Sequence, residues 1–124
     1  MDDQTRRQLS RGHTIDITTI GRRTGETRRI EIVFHNFDGR LYISGTPADR
    51  KRAWLLNLEA DPHFTFHLKG RVTADLPATA RIITDEAERR ALFVEIVKTW
   101  TNQDVETMTL YAPLIEVTFE DEVA

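Results

Sequence analysis

At 124 residues the chain is the length of one domain, which excludes two-domain enzyme architectures. Its 40% apolar residues can fill a core without staples, and the absence of cysteine excludes disulfides, iron–sulfur clusters, thiolate zinc sites and cysteine nucleophiles. The net charge of -3 hides a division: residues 1–71 hold 13 Lys and Arg against 9 Asp and Glu, residues 72–124 hold 4 against 11, so the first half is expected to meet something anionic.

The opening MDDQTRRQLSRG has no apolar stretch, and the apolar runs elsewhere are only a few residues long. The expectation is a chain that neither carries a secretion signal nor spans a membrane, located in the cytoplasm. No repeat, linker or low-complexity tract divides it, so residues 1–124 read as a single domain, with 1–12 as a short polar helix or a disordered arm.

Residues 13–20 alternate through Ile15 and Ile17, and residues 28–37 through Ile30, Ile32 and Phe34, which predicts two strands. Gly21 and Gly25, free to take positive φ, make the residues between them an exposed hairpin connection. Asp38-Gly39 is a stronger turn and leads to a third strand over 41–44. The period changes over 47–61: Asp49 is placed to cap a helix, Ala53, Trp54, Leu55 and Leu58 share a face, and Asp61-Pro62 stops it.

Strands return over 64–68 and over 71–83, the second interrupted near Pro77. Thr84-Asp85-Glu86 opens another helix, with the Thr84 hydroxyl as its cap and an apolar stripe of Leu92, Phe93, Ile96, Val97 and Trp100. Residues 114–119 close the chain as a last strand. About six strands with hairpin connections and two substantial helices predict a mainly β, α+β fold: a small antiparallel barrel or curled sheet with helices covering its ends.

Most routes to chemistry fail on spacing. His63 and His67 lie four residues apart on a strand, roughly 13 Å, too far for one metal ion. The two serines, Ser10 and Ser44, sit in no nucleophile elbow, and the carboxylates near Asp85 suit a helix start. What remains is a basic cluster, Arg22, Arg23, Arg28, Arg29, Arg50, Lys51 and Arg52, from one glycine-flexed hairpin and one helix start. Arginine forks, loop N–H groups and a helix dipole together describe a phosphate site; the alternative is a solvated positive face. Nucleic acid is set aside, because no recognised binding signature accompanies the cluster and only Trp54 stands among it as a stacking platform.

Two stretches carry a resemblance. Residues 18–25, Thr-Thr-Ile-Gly-Arg-Arg-Thr-Gly, followed by Arg28, and residues 54–62, Trp-Leu-Leu-Asn-Leu-Glu-Ala-Asp-Pro, resemble the deazaflavin-dependent nitroreductase-like proteins of actinobacteria. Those are small split β-barrel oxidoreductases related to the flavin-binding pyridoxamine-phosphate-oxidase-like barrels. The resemblance implies a split barrel of the FMN-binding kind and a site for coenzyme F-420. Its phosphate and acidic tail would be held by Arg22, Arg23 and Arg28, with Thr24 and Gly25 of the same loop, and Ser44, Trp54 and Asn57 would make further contacts.

Two positions depart from the pattern. Nitro-reducing members have a lysine after the serine that ends the third strand, where this chain has Gly45, so Arg50, Lys51 or Arg52 would supply that charge. Tyrosines that hold substrate before the last strand are replaced except for Tyr111, the candidate proton donor. The expected activity is hydride transfer from reduced deazaflavin to a small electron-poor molecule such as a quinone, enone or nitroaromatic. The rivals are the same barrel holding FMN, whose shorter phosphate would leave part of the basic cluster unused, and a non-enzymatic carrier of deazaflavin or of haem ligated by His67 or His35. A homodimer is compatible with barrels of this kind.

Overall fold

The computed structural model describes residues 1–120. Six strands close a barrel in the order β1-β2-β3-β6-β5-β4, every neighbour antiparallel. They are β1 (Thr14–Ile20), β2 (Thr27–Phe37), β3 (Arg40–Ser44), β4 (His63–Leu68), β5 (Ala74–Ile82) and β6 (Leu114–Phe119). Alternation on each strand sends Ile15, Ile17, Phe34, Ile43, Phe66 and Ile115 into a shared interior. Asp38 and Gly39 both take positive φ, 54° and 87°, the backbone of a tight hairpin turn between β2 and β3.

The eleven-residue β2 serves two neighbours in succession. Thr27 to Val33 pair with β1, whereas Val33 to Phe37 pair with β3, so residues 27–32 have no strand on their β3 side. That step opens the barrel wall, and the loop leaving β3 crosses the gap into helix α2 (Ala53–Ala60).

Helix α1 (Asp3–Leu9) is capped by Asp2, which accepts from the Thr5 N–H at 2.8 Å, and inserts Leu9 at the opposite mouth of the barrel. α2 closes its mouth with Trp54, Leu55 and Leu58, and adds buried Asn57 to that face. Ala53 is exposed instead. The helix begins later than the sequence predicts. Asp49 lies in the preceding loop, where the Ala48 N–H reaches the Tyr111 carbonyl at 3.3 Å, and the cap position is Arg52, with no side-chain hydrogen bond.

Helices α3 (Glu86–Ile96) and α4 (Val105–Tyr111) lie outside the barrel over a second core of Tyr42, Ile83, Phe93, Ile96, Met108 and Leu114. Asp85, not Thr84, caps α3, accepting from the Glu88 N–H at 2.9 Å. α4 has no counterpart in the predicted elements; Asp104 caps it, accepting from the Thr107 N–H at 2.8 Å.

β5 runs unbroken through Pro77, contrary to the expected interruption. The Pro77 carbonyl accepts from the Glu120 N–H at 3.0 Å, beyond the end of β6. Its ring nitrogen faces the same way, past the end of the ladder, so proline removes no strand-to-strand hydrogen bond.

Candidate functional site

The gap beside β2 is a cleft of about 590 Å³. One wall is the unpaired part of β2, with Arg28, Ile30 and Ile32; the other is the β3–α2 loop and the start of α2, with Gly45, Arg52, Trp54 and Asn57. The cleft is therefore apolar along one side and cationic at its ends.

Asn57 organises the mouth. It is 3% exposed, and its Oδ1 accepts from both the backbone N–H and Nη1 of Arg22, at 3.2 and 3.0 Å. Its Nδ2 donates to the buried Thr19 hydroxyl at 3.1 Å. These bonds fix the β1–β2 loop to α2. Arg22 is exposed, as expected, but it is tied to the core and is not a freely solvated charge. Of the two loop glycines only Gly25 takes positive φ, 76°. Gly21 is required for a different reason: a Cβ there would lie 2.8 Å from the Glu26 carbonyl oxygen, which its own N–H contacts at 2.7 Å.

At the other end Arg52 Nη2 donates to the carbonyl and the hydroxyl of Thr46, at 3.2 and 2.7 Å. Its Nε–H is buried with no acceptor, and it packs over Gly45, where a Cβ would lie 3.5 Å from Nε and 3.1 Å from Pro113 Cγ. Because α2 has no side-chain cap, its first N–H groups are also available. Arg23, Arg28 and Arg50 are exposed and form no ion pair among the described residues, whereas Lys51 is paired with Glu59 at 2.8 Å. A buried guanidinium N–H without an acceptor, an uncapped helix start and unpaired arginines describe a place for an anionic group.

A second cleft, about 340 Å³, lies on the other side of the same loop, with Arg50, Lys51, Leu55, Leu110 and Tyr111 in its lining. Arg52 borders both clefts. Tyr111 is 57% exposed at the rim. This rim rests on Arg89, whose guanidinium donates to the carbonyls of Ile83, Met108, Thr109 and Ala112 at 2.6 to 3.3 Å and lies 5.4 Å from the Phe93 ring centre. Burial lowers its pKa from the ordinary arginine value. Arg89 thus caps the carbonyl end of α4 and joins it to α3.

The twelve expected cofactor residues are divided by the structure. Arg28, Gly45, Arg52, Trp54 and Asn57 line the first cleft, and Arg50, Lys51 and again Arg52 the second. Arg22, Arg23, Thr24 and Gly25 form the loop beside them and line neither. Ser44 is 1% exposed, and its hydroxyl donates to the Pro113 carbonyl at 2.9 Å, so it holds the wall together from within. Arg89 and Thr46 escaped the sequence reading, since nothing in their local pattern distinguishes them from surface residues.

The histidines serve structure. His67 has both nitrogens engaged, by Thr18 Oγ1 at 2.6 Å and Asp75 Oδ1 at 2.7 Å, which leaves none for a haem iron. That contact holds the Asp75 carboxyl below its ordinary pKa. His35 is buried beside Phe37 and Trp100. No group of three or more His, Asp or Glu suited to a metal occurs among the described residues.

A closed six-stranded barrel with a half-apolar, arginine-flanked cleft in its wall defines a split-barrel protein. Solved structures agree in fold. The chain matches a conserved hypothetical protein of Mycobacterium tuberculosis, Rv2991, with a TM-score of 0.76 at 18% identity, over 97% of this chain and 81% of that one. It matches a putative pyridoxamine 5'-phosphate oxidase of Listeria innocua at 0.68 and 14%, over 96% and 93%. An F420-H2 dependent reductase, FDR-A, matches at 0.61 and 19%, over 85% and 93%. The family model for the F420H(2)-dependent quinone reductases matches residues 2–119, and the chain belongs to that family.

It is therefore an oxidoreductase that depends on coenzyme F-420, and of the three cofactors considered membership selects the deazaflavin. The residues present fit that group: the apolar wall of Ile30, Ile32 and Trp54 suits a ring, and the unpaired arginines with the buried Arg52 Nε–H suit its phosphate. No described helix is long and apolar enough to cross a membrane.

Proposed function

We propose that the cleft between β2 and α2 holds the deazaflavin and that the adjoining cleft holds the molecule it reduces, a small quinone, enone or nitroaromatic. The observation that carries this is Arg52, which borders both clefts and keeps a buried N–H without an acceptor. Bound there, the reduced coenzyme would supply a hydride, one proton with two electrons. The chain's own work is positioning and exclusion of water. Arg23 and Arg28 neutralise the phosphate and acidic tail, Trp54 bounds the ring, and Asn57 holds the Arg22 loop in register. Gly45 leaves room beside Arg52, and Ser44 keeps the strand end against Pro113. Arg50 and Lys51 face the acceptor side, where Tyr111 is placed to give a proton from its hydroxyl.

Two supports do not depend on charge. The cleft is of ordinary ligand size. Trp54 belongs to the core and the cleft wall at once, which gives the ring a rigid neighbour. A homodimer is part of the proposal, in keeping with a domain-swapped dimer among the solved structures of similar fold. Titration of the apo-protein with deazaflavin, FMN and haem in parallel tests the reading. Deazaflavin should bind at least tenfold more tightly than FMN, and equal or reversed affinities would overturn it. Tyr111→Phe should lower turnover without changing coenzyme affinity; unchanged turnover removes the proton-donor role. Sedimentation in the same buffers decides the oligomeric state.

A further inference from the structure

Among the described residues, most exposed arginines without a carboxylate partner fall into two groups at opposite ends of β1; Arg40, at the β2–β3 turn, stands apart from both. Most other surface cations are neutralised locally: Arg29 meets Asp16, Lys51 meets Glu59, Arg81 meets Glu88 and Glu116, Arg90 meets Glu86 and Glu106, and Lys98 meets Glu95. Arg23 and Arg28 lie beside the coenzyme cleft and Arg50 lines the adjoining one, which accounts for them. Arg7, Arg11 and Arg71 do not. They line a groove of about 700 Å³ between α1 and the β4–β5 turn. The seven residues of β1 separate this groove from the coenzyme loop by about 23 Å.

The groove is built, not incidental. Gln8 Nε2 donates to the carbonyls of Lys69 and Val72 at 2.8 and 3.0 Å, and Gln8 Oε1 accepts from the Val72 N–H at 2.7 Å, which locks the turn to the helix. Gly70 has φ 120° and would place a Cβ 3.1 Å from Gln8 Nε2, so the turn fits the helix only with glycine. Lys69 sends its ammonium out of the groove to Asp16 and Glu31, at 2.7 and 2.6 Å. Arg7, Arg11 and Arg71 are exposed, have no carboxylate partner among the described residues, and share the groove with His13 and no acidic side chain. Three guanidinium groups so placed repel one another, and an anion between them removes that cost.

We propose that this groove is a second anion site, independent of the coenzyme cleft, which takes a multiply charged phosphate group between Arg7, Arg11 and Arg71. Guanidinium forks match phosphate oxygens two at a time, and a groove of this volume admits a ligand larger than one phosphate. The phosphate belongs either to a soluble molecule or to a lipid headgroup; the recognition chemistry is the same.

The test uses apo-protein, so it does not depend on the deazaflavin reading. Inorganic pyrophosphate is titrated while the backbone amide resonances of Gln8, Gly70 and Arg71 are followed, with those of Arg28, Thr46 and Ala53 reporting the other cleft. In parallel, vesicles of phosphatidic acid and of phosphatidylcholine are tested for flotation. The groove amides should shift on titration, and Arg7→Glu with Arg71→Glu should weaken that response at least tenfold while the other cleft's response stays. A response to pyrophosphate assigns a soluble phosphate; binding to phosphatidic acid vesicles alone, lost in the double variant, assigns a headgroup. Silence of the groove amides together with no vesicle binding, or responses unchanged in the variant, overturns the site. Both arginines are exposed and far from the core, and Arg7→Gln with Arg71→Gln replaces the reversal should it fail to fold.

Discussion

Replacing Asn57 with leucine removes a side chain that ties α2 to both β1 and the Arg22 loop. Three hydrogen bonds disappear, to the Arg22 N–H, Arg22 Nη1 and the Thr19 hydroxyl. A net hydrogen bond is worth about 1 kcal/mol, and a buried polar group left without a partner costs about 1 to 3 kcal/mol. Thr19 is buried and has no alternative partner among the described residues, whereas the Arg22 groups can turn to water. The expected loss is therefore about 3 kcal/mol, or about 10 °C in thermal midpoint for a chain of this length. Arg22→Ala removes only the exposed guanidinium's bond and should cost under about 1 kcal/mol. Urea unfolding followed by tryptophan fluorescence measures both. Deazaflavin affinity should fall about tenfold in Asn57→Leu, as the loop carrying Arg23 loses its anchor. An Asn57→Leu protein within about 1 kcal/mol of the wild type would refute the claim that this side chain organises the site.

Trp54→Ala should cost about 3 to 5 kcal/mol and coenzyme binding together, because the ring is core and cleft wall at once; binding loss at an unchanged midpoint would contradict its burial. Arg23→Glu with Arg28→Glu should weaken deazaflavin binding at least a hundredfold and leave the midpoint within about 2 °C, since both residues are exposed and unpaired, and fluorescence titration beside calorimetry separates the two effects. Arg89→Met should destabilise by about 3 kcal/mol or more in urea unfolding, as four carbonyls lose their donor. Burial lowers the His35 pKa from 6.5 to about 4. Below pH 6.5 the unfolded chain therefore takes up a proton that the folded chain refuses, and stability falls as pH drops through that window, by about 2 kcal/mol between pH 6.5 and 5. His35→Leu should flatten the dependence over pH 5 to 7, above the range in which carboxylates titrate; an unchanged slope refutes the assignment to His35.

Strand alternation was legible because the barrel has one dry face, so Ile15, Ile17, Phe34 and Phe66 announce themselves by spacing alone. Asp38-Gly39 was legible because few residues accept that turn. α4 was not, since its seven residues hold little periodic apolar pattern, although Asp104 three residues before Thr107 is a capping spacing that could have revealed it. The true start of α2 was hidden because no polar side chain caps it. At the site, residue type and clustering pointed to an anion or a solvated positive face, but not to how the arginines divide. Arg22 is committed to Asn57, Arg52 to Thr46, and Arg89, outside the cluster, is the guanidinium enclosed by carbonyls. Those roles depend on partners 6 to 35 residues away in sequence, which local patterns do not encode.

The two sides of the proposed reaction chamber have unequal foundations. The coenzyme side is walled by β2 and by a helix pinned through Asn57 into the barrel, so alterations there disturb the fold as a whole. The rim bearing Leu110 and Tyr111 is a short helix end whose last carbonyls are gathered by Arg89, with those two side chains more than half in solvent. Substitutions on that rim can reshape what the enzyme accepts while leaving the barrel's stability and its coenzyme intact. Such a division directs any effort to change this enzyme's substrate range to Leu110 and Tyr111 before the strands.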